Sequence, residues 1–171
     1  GNASSGDWER DLPNGTSYNG EASNPGADSP LDCSEEAFVT GNGGGQAGTD
    51  DIDGGETVLL SPMFDLTSYN DPSINFDRWF FNDGGSGTPN DSLVIEVLNG
   101  SSVVRIDFAD VNSAPSNTWT SKSIQVASFT TVTATMQLRV RAMDNAGGHL
   151  AEAGFDNFRV IYSHRSDNEE S

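Results

Sequence analysis

The segment Ser73-Ile-Asn-Phe-Asp-Arg-Trp-Phe-Phe-Asn82 alternates polar and apolar residues from Ser73 to Asp77, with the two-residue period of a β-strand. Its two faces hold Ile74, Phe76, Arg78 and Phe80 on one side and Asn75, Asp77, Trp79 and Phe81 on the other. The segment Met136-Gln-Leu-Arg-Val-Arg-Ala-Met143 repeats this pattern, because its even-numbered residues are apolar while Gln137, Arg139 and Arg141 point the opposite way. Each segment therefore predicts a strand with one face toward a core.

The rest of the chain also has the pattern of an all-β protein. Apolar residues at helical spacing are not sustained over three turns, and short apolar runs are separated by Gly, Asn, Asp, Ser and Pro. The pattern predicts two antiparallel sheets packed as a β-sandwich. The candidate strands are 37–40, 57–60, 63–65, 73–82, 92–98, 102–108, 119–125, 131–144 and 151–163.

The length of 171 residues suits one domain with its own core. We expect that domain at residues 6–163, with linker at 1–5 and a linker or tail at 164–171, as in a module of a larger protein. The part from Asn14 to Asp32 is rich in Asn, Gly, Ser and Pro, which predicts a long irregular approach across one end of the sandwich. A bound cation would order such a segment.

The formal net charge of −18 limits the partners, since 26 acidic residues face only 8 basic ones. Nucleic acid requires a positive footprint and is excluded, and an anionic membrane surface is disfavoured. An anionic polysaccharide would need a bridging cation or a local arginine cluster. The acidity fits an exported protein in saline surroundings. Repulsion between chains that each carry this charge favours a monomer. No apolar run approaches the ~18 residues of a membrane span.

The loop Gly48-Thr-Asp-Asp-Ile-Asp-Gly-Gly-Glu56 is the strongest chemical signal. Calcium takes several oxygen ligands, and glycines allow the backbone to bend so that neighbouring carboxylates converge. The loop predicts part of a calcium site; a solvated acidic turn is the alternative interpretation. The regular ligand spacing of an EF-hand is missing.

Catalytic motifs are weak, so we expect a protein that is not an enzyme. Cys33 is the single cysteine, and the two histidines, His149 and His164, are not placed as members of a triad. Asp144 and Glu152 form the best carboxylate pair, but among 26 acidic residues such a pair arises by chance. Clusters of His or Cys that would indicate zinc are absent from the sequence.

Several segments resemble the accessory β-sandwich modules of secreted bacterial hydrolases, familiar from marine Bacteroidetes. The resemblance covers most of the chain, and its plan is similar to the MAM and galactose-binding-like jelly rolls. The segments that carry it are 38–45, 50–55, 57–66, 74–79, 138–144 and 152–158.

In such modules a calcium ion ties the N-terminal segment to the last strand. The resemblance therefore implies a structural Ca²⁺ held by Glu9, Asp51, Asp53 and Asp156. It also implies a secreted or cell-surface location within a multidomain protein.

Two functions follow from the residues and the resemblance. The first is a carbohydrate-binding module that holds a polysaccharide or oligosaccharide. Its candidate site residues are Trp79, Asp77, Trp119, Arg139 and Arg141, with aromatic rings for the sugar face and polar groups for the hydroxyls. Each arginine on a predicted strand (Arg78, Arg139, Arg141 and Arg159) could instead pair with nearby carboxylates, and Trp79 could fill the core. The second function is a structural or protein-interaction module, such as an adhesin repeat or protease accessory domain, without a glycan site.

Overall fold

The computed structural model describes residues 1–113 and 116–162, which form strands that pack as two antiparallel sheets. The strands are β1 (Trp8–Asp11), β2 (Thr16–Tyr18), β3 (Glu21–Asn24), β4 (Ala37–Thr40), β5 (Gly55–Leu60), β6 (Ser73–Asp83), β7 (Ser92–Asn99), β8 (Ser102–Asp110), β9 (Thr120–Gln125), β10 (Met136–Asp144) and β11 (Leu150–Ile161). A 3-10 turn, Val126–Ser128, follows β9.

The strand order is that of a jelly roll. One sheet has five strands in the order β1-β4-β11-β6-β9, the other has four in the order β5-β10-β7-β8, and β2 pairs with β3 in a separate hairpin. From β4 onward each strand lies in the sheet opposite to its predecessor, except at the β7–β8 hairpin. The predicted all-β, two-sheet antiparallel β-sandwich is therefore confirmed.

The core lies between the sheets and is filled by the alternating apolar residues. Burial along β10 alternates without a break, and its even-numbered residues are the buried ones. They meet Leu93, Ile95 and Val97 of β7 and, from the opposite sheet, Phe76 of β6 and Phe155 of β11. Fully burying one such side chain contributes about 1.5–3 kcal/mol, so this alternation supplies much of the driving force for folding.

The structure differs from the predicted strands mainly at short or polar segments. Residues 63–65 form no strand, and only Phe64 makes an isolated bridge, to Met136. Strand β10 begins at Met136 rather than at Thr131. The approach expected to be irregular contains the β2–β3 hairpin, and β1 precedes it. The sequences of β1, β2 and β3 are short and polar, and they carry too few apolar residues for an alternation to be visible.

The N-terminal residues expected to be linker are attached to the sandwich. Backbone N–H groups of Asn2 and Ala3 both donate to the carbonyl oxygen of Glu56, at 2.8 and 3.0 Å, and that of Ser4 donates to Asp53, at 2.8 Å. The folded unit therefore extends to residues before Gly6. The tail expected at 164–171 lies outside the described residues.

A buried ion pair links the two sheets. Arg78 shares the inner face of β6 with Phe76 and Phe80, and its Nε donates to the Asp107 carboxylate of β8 at 2.6 Å. Lys122 of β9 lies 3.3 Å from the same carboxylate. The interpretation that strand arginines pair with carboxylates is thus confirmed at Arg78.

We expect Asp107→Asn to lower the free energy of unfolding by about 3–5 kcal/mol, because it leaves the buried Arg78 guanidinium without its counter-charge. Urea unfolding measures this loss. Glu36→Gln is the matched control, since it breaks the exposed Arg10–Glu36 pair and should change stability little. Equal effects of the two variants would contradict a stabilising role for the buried pair.

Candidate functional site

The outer face of the five-stranded sheet is covered by the segment from β2 to Asp32. The indole N–H of Trp79 donates to the Ser23 carbonyl at 3.0 Å, and that of Trp119 donates to the Ala27 carbonyl at 3.0 Å. The two rings meet edge to face with centroids 6.1 Å apart. Trp79 is only 7 % exposed, so both tryptophans anchor the covering segment rather than form an open platform for sugar.

The space for Trp119 depends on Gly154 of β11. A Cβ at Gly154 would lie 2.7 Å from Cη2 of Trp119 and 3.0 Å from Cβ of Trp79. Any larger residue would therefore push Trp119 away from the sheet.

Asp77 is also used to hold the covering segment. It accepts hydrogen bonds from the Ser29 hydroxyl and, at 2.8 Å, from the Asn157 side-chain amide. Asp156 faces Asp77 across β6 and β11 and accepts a hydrogen bond from the Ser29 N–H at 3.0 Å. Burial acts to raise the pKa of Asp77, but hydrogen bonds from Ser121, Ser29 and Asn157 outweigh it. The pKa of Asp77 is therefore below its usual value.

The candidate sugar-binding residues are divided between two opposite surfaces. Trp79 and Asp77 belong to β6 of the five-stranded sheet, whereas Arg139 and Arg141 belong to β10 of the four-stranded sheet. Both arginines point away from the core, as the burial pattern of β10 indicates. The structure therefore does not bring them into one groove with Trp79, because the core lies between the sheets.

Arg139 and Arg141 belong to a group on the outer surface of the four-stranded sheet that we call the arginine face: Arg105, Arg139, Arg141, Glu96 and Phe108. Register places Arg139, Glu96 and Arg105 in one row, and Arg141 in the same row as Phe108. The Arg105 guanidinium lies over the Phe108 ring, 5.1 Å from its centroid.

Glu96 organises the arginine face. It accepts hydrogen bonds from Nε of Arg139 at 2.8 Å and from Nε and Nη2 of Arg141 at 3.1 and 3.2 Å. Arg141 also donates to Glu56 at 2.8 Å. Burial acts to raise the pKa of Glu96, but the hydrogen bonds from Arg141 and Arg139 bring it below its usual value. These bonds hold an array of donors and acceptors in fixed positions on the outer surface of the four-stranded sheet.

The four residues proposed as calcium ligands do not meet around one ion. Ile52 N–H donates to the Ala151 carbonyl, which holds the loop containing Asp51 and Asp53 near the start of β11. Asp156 lies five residues further along β11, about 17 Å away at the rise of a strand. Glu9 is exposed and accepts a hydrogen bond from Asn42 N–H at 3.4 Å. Sequence separation along one strand thus prevents the expected convergence.

Asp51 lies instead in a buried acidic environment with Glu152. The Thr40 hydroxyl donates to Glu152 at 2.7 Å. Burial, and then the carboxylates of Asp53, Asp144 and Asp50, raise the pKa of Asp51 to about 6. Burial also raises the pKa of Glu152 well above its ordinary value, with Asp51 and Asp50 adding to the effect. Asp144, the other half of the carboxylate pair considered from the sequence, lies in the opposite sheet.

Among residues 1–113 and 116–162, two groups of three side chains could each hold a metal ion. Within each group, the potential ligand atoms lie within 4.8 Å of one another. One consists of Asp28, Asp32 and Asp156, and so retains only Asp156 of the expected calcium ligands. The other consists of Asp91, Asp144 and His149. Sequence reasoning did not find the second group, although each of its members is in phase with core-facing residues of its strand, as described below.

In the described part of the chain, no helix is long and apolar enough to cross a membrane.

No protein-family model and no curated protein matches the sequence. Among solved structures, the chain is similar to a carbohydrate-binding module of the β-sandwich superfamily described for promiscuous specificity, with 11% identity over 78% of this chain and 51% of that one and a TM-score of 0.48. It is similar to CBM27-1 of Caldicellulosiruptor saccharolyticus, determined with mannohexaose, with 13% identity over 80% of each chain and a TM-score of 0.43. It is also similar to an exo-β-agarase, with 11% identity over 98% of this chain but only 23% of that one and a TM-score of 0.47. At these values the ligand must be argued from this chain's own residues.

The raised pKa of Asp51 predicts a specific pH dependence of stability. The folded state binds this proton more tightly than the unfolded chain does, so its contribution falls as the pH rises from about 4 to about 6 and stays low above that. We expect Asp51→Asn to raise the free energy of unfolding by about 1–3 kcal/mol at pH 7.5, with a smaller difference at pH 4.5. Urea unfolding in the presence of chelator measures both values.

Asp53→Asn is the control for the Asp51 variant, because Asp53 is the exposed acidic neighbour in the same loop. A destabilised Asp51→Asn at pH 7.5 would contradict the assigned burial penalty.

Proposed function

We propose that the protein is a non-catalytic carbohydrate-binding module that holds a polysaccharide on its arginine face, as an accessory module of a larger secreted enzyme. The observation that carries this proposal is the row of Arg139, Glu96 and Arg105 on the outer surface of the sheet, beside the exposed ring of Phe108. Of the two sheets, the four-stranded one leaves its outer face free of the covering segment, which lies on the five-stranded sheet.

The chemistry of the arginine face suits a sugar chain. Sugar hydroxyls both donate and accept hydrogen bonds, and the guanidinium–carboxylate array offers both kinds of partner in fixed positions. Phe108 is 39 % exposed and can pack against the apolar face of a pyranose ring. In the described residues Arg105 makes no hydrogen bond or ion pair, so its donors remain for a ligand.

The charge of the arginine face widens the range of substrates that fit. Three of the eight Lys and Arg residues of the chain gather here, next to Glu96 and Glu56. This is the local arginine cluster that an anionic polysaccharide would need on a protein of net charge −18. A binding assay should therefore include neutral, uronate-containing and sulfated polysaccharides.

We expect Arg105→Ala and Phe108→Ala each to weaken polysaccharide binding about tenfold or more, as truncation of a central contact does. Affinity electrophoresis against the panel identifies a ligand, and calorimetry with its oligosaccharide measures the affinity. Phe129→Ala is the matched control, since Phe129 is 42 % exposed and lies outside the arginine face. Arg10→Ala is the matched control for Arg105→Ala, since Arg10 is an exposed arginine outside the arginine face.

Two results would contradict carbohydrate binding at the arginine face. One is retention by no polysaccharide of the panel. The other is a ligand whose affinity is unchanged in the Arg105→Ala/Phe108→Ala double variant.

A protein-interaction module is the second candidate, favoured by a separate apolar cleft. This cleft of about 140 Å³ lies between residues of the two sheets and includes Leu60, Pro62 and Phe158 in its lining. Leu60, Phe158 and nearby Met63 are exposed. Such a cleft would suit an apolar side chain of a neighbouring domain or protein. This function predicts no retention by any polysaccharide.

We also propose that calcium stabilises the covering segment at Asp28, Asp32 and Asp156. The group offers only oxygen ligands, which calcium prefers, and backbone carbonyls and water would complete the coordination. It joins the segment after β3 to the last strand, between residues distant in sequence. Burial first, and then the carboxylates of Asp32 and Asp28, raise the pKa of Asp156, and a cation here would offset the repulsion among the three carboxylates.

We expect calcium at a hundred times its Kd to stabilise the fold by about 2.7 kcal/mol, and so to raise Tm by about 5–10 °C, reversibly by chelator. Asp156→Asn should remove this shift, because the amide is a weaker ligand yet can still accept the Ser29 hydrogen bond. Asp51→Asn should retain it. A melting curve that is the same with calcium and with chelator, together with no calcium in elemental analysis, would refute the site.

A further inference from the structure

One end of the core is closed by polar side chains at positions where the alternation calls for apolar ones. Asp91 precedes β7 in phase with Leu93, and Asp144 ends β10 in phase with Ala142. His149 precedes β11 in phase with Ala151. All three side chains therefore point into the end of the sandwich.

Their burial is nearly complete. Asp91 is 0 %, Asp144 6 % and His149 2 % exposed. Two carboxylates without solvent repel one another, and a single imidazolium could neutralise only one of them. A divalent cation would neutralise both, which makes a metal ion a better fit to the charges than an ion pair alone.

Several polar atoms of this group have no hydrogen-bond partner within the described part of the chain: Nδ1 and Nε2 of His149 and Oδ1 of Asp144. A buried imidazole almost always uses at least one ring nitrogen. His149 Nδ1 lies 3.4 Å from Oδ2 of Asp91 without the geometry of a hydrogen bond. Two tetrahedral ligands at the usual zinc distances of about 2.0–2.1 Å are separated by about 3.3–3.4 Å, which matches this spacing.

The carboxylates are also held by hydrogen bonds from the surrounding chain. Asp91 accepts one from the Asn82 side-chain amide at Oδ2, the oxygen 3.4 Å from His149 Nδ1, and one from Asn145 N–H at Oδ1, both at 2.6 Å. Each carboxylate oxygen has a second lone pair, which stays available for a metal ion. Asp144 accepts a hydrogen bond from Gly54 N–H at 2.7 Å through its other oxygen. Such contacts hold metal ligands in position and are typical of the surroundings of a metal centre.

Gly147 provides the space that the imidazole occupies. A Cβ at this residue would lie 2.4 Å from Cε1 and 2.8 Å from Nε2 of His149. Gly147 and Asp144 also line an open cleft of about 740 Å³, with Asp53 at its wall. The cleft reaches Asp144, one of the three side chains, and the acidic loop beside it attracts cations.

We propose that Asp91, Asp144 and His149 bind one divalent ion of the zinc class, a site independent of the calcium group and of sugar binding. Imidazole suits zinc and its transition-metal neighbours, whereas calcium and magnesium prefer oxygen alone. Three protein ligands with a fourth position open to water form a common zinc arrangement. Zinc here would tie β7 and β10 of one sheet to β11 of the other.

The test uses the full chain carrying Cys33→Ser, because Cys33 is an exposed thiol that could bind zinc by itself. The protein is stripped with chelator, returned to buffer with saturating calcium, and titrated with zinc chloride by calorimetry. We expect one zinc ion per chain, and His149→Asn should lower the affinity about a hundredfold or more. His164→Gln, which removes the only other imidazole, should leave it unchanged.

Cobalt(II) gives a second measurement on the unsubstituted ligands. We expect the intense visible absorption of tetrahedral cobalt, displaced by zinc and lost in Asp144→Asn, with circular dichroism confirming that the variants are folded. Should His149→Asn fail to fold, the cobalt spectrum of the parent protein decides. Absence of zinc uptake, equal affinity in a folded His149→Asn, or only the weak absorption of octahedral cobalt would each overturn the proposal.

Discussion

The two-residue alternation along the long strands is the constraint on which the rest of the structure depends. In β6, β7 and β10, and in β11 as far as the bulge after Asp156, it assigns each side chain either to the interior or to an outer surface. A slip of one residue would exchange the two sets. The buried Arg78–Asp107 pair obeys the same rule, since Arg78 is in phase with Phe76 and Phe80. So do the polar residues at the end of the core, whose direction follows from their phase rather than from their chemistry.

Alternation also explains which parts of the fold were predictable. The sandwich and its long strands follow from the sequence because their apolar residues recur at a fixed spacing. Strands β1 to β3 were not predicted, because a segment such as Thr16-Ser-Tyr18 has no apolar period and is held by its hairpin partner and the sheet below. The predicted strand at 63–65 shows the converse, since its two apolar residues, Met63 and Phe64, have no continuous partner strand and only Phe64 makes an isolated bridge.

The candidate sites were predictable in residue type but not in grouping. Asp156 was predicted to share a calcium ion with Asp51 and Asp53, whereas its acidic neighbours in the structure are Asp28 and Asp32. Spacing along β11 determines this, and it becomes visible only when the register with β6 and β4 is known. The sugar-site residues were divided for a similar reason, because a strand pattern reveals faces but not the sheet to which each strand belongs.

The position of the covering segment decides which surface is available to a large ligand. Hydrogen bonds from Trp79, Trp119 and Ser29 hold this segment on the five-stranded sheet. Trp79 and Trp119 therefore stabilise the fold. The arginine face is left open on the other side, while the two groups of possible ion ligands lie at separate places along β11. His149 and Asp156 are seven residues apart, about 23 Å along an extended strand. At that distance ion binding at one group should add to, rather than alter, binding at the other. A polymer lying on the arginine face would touch neither, so ions would act on stability and the exposed sheet on recognition.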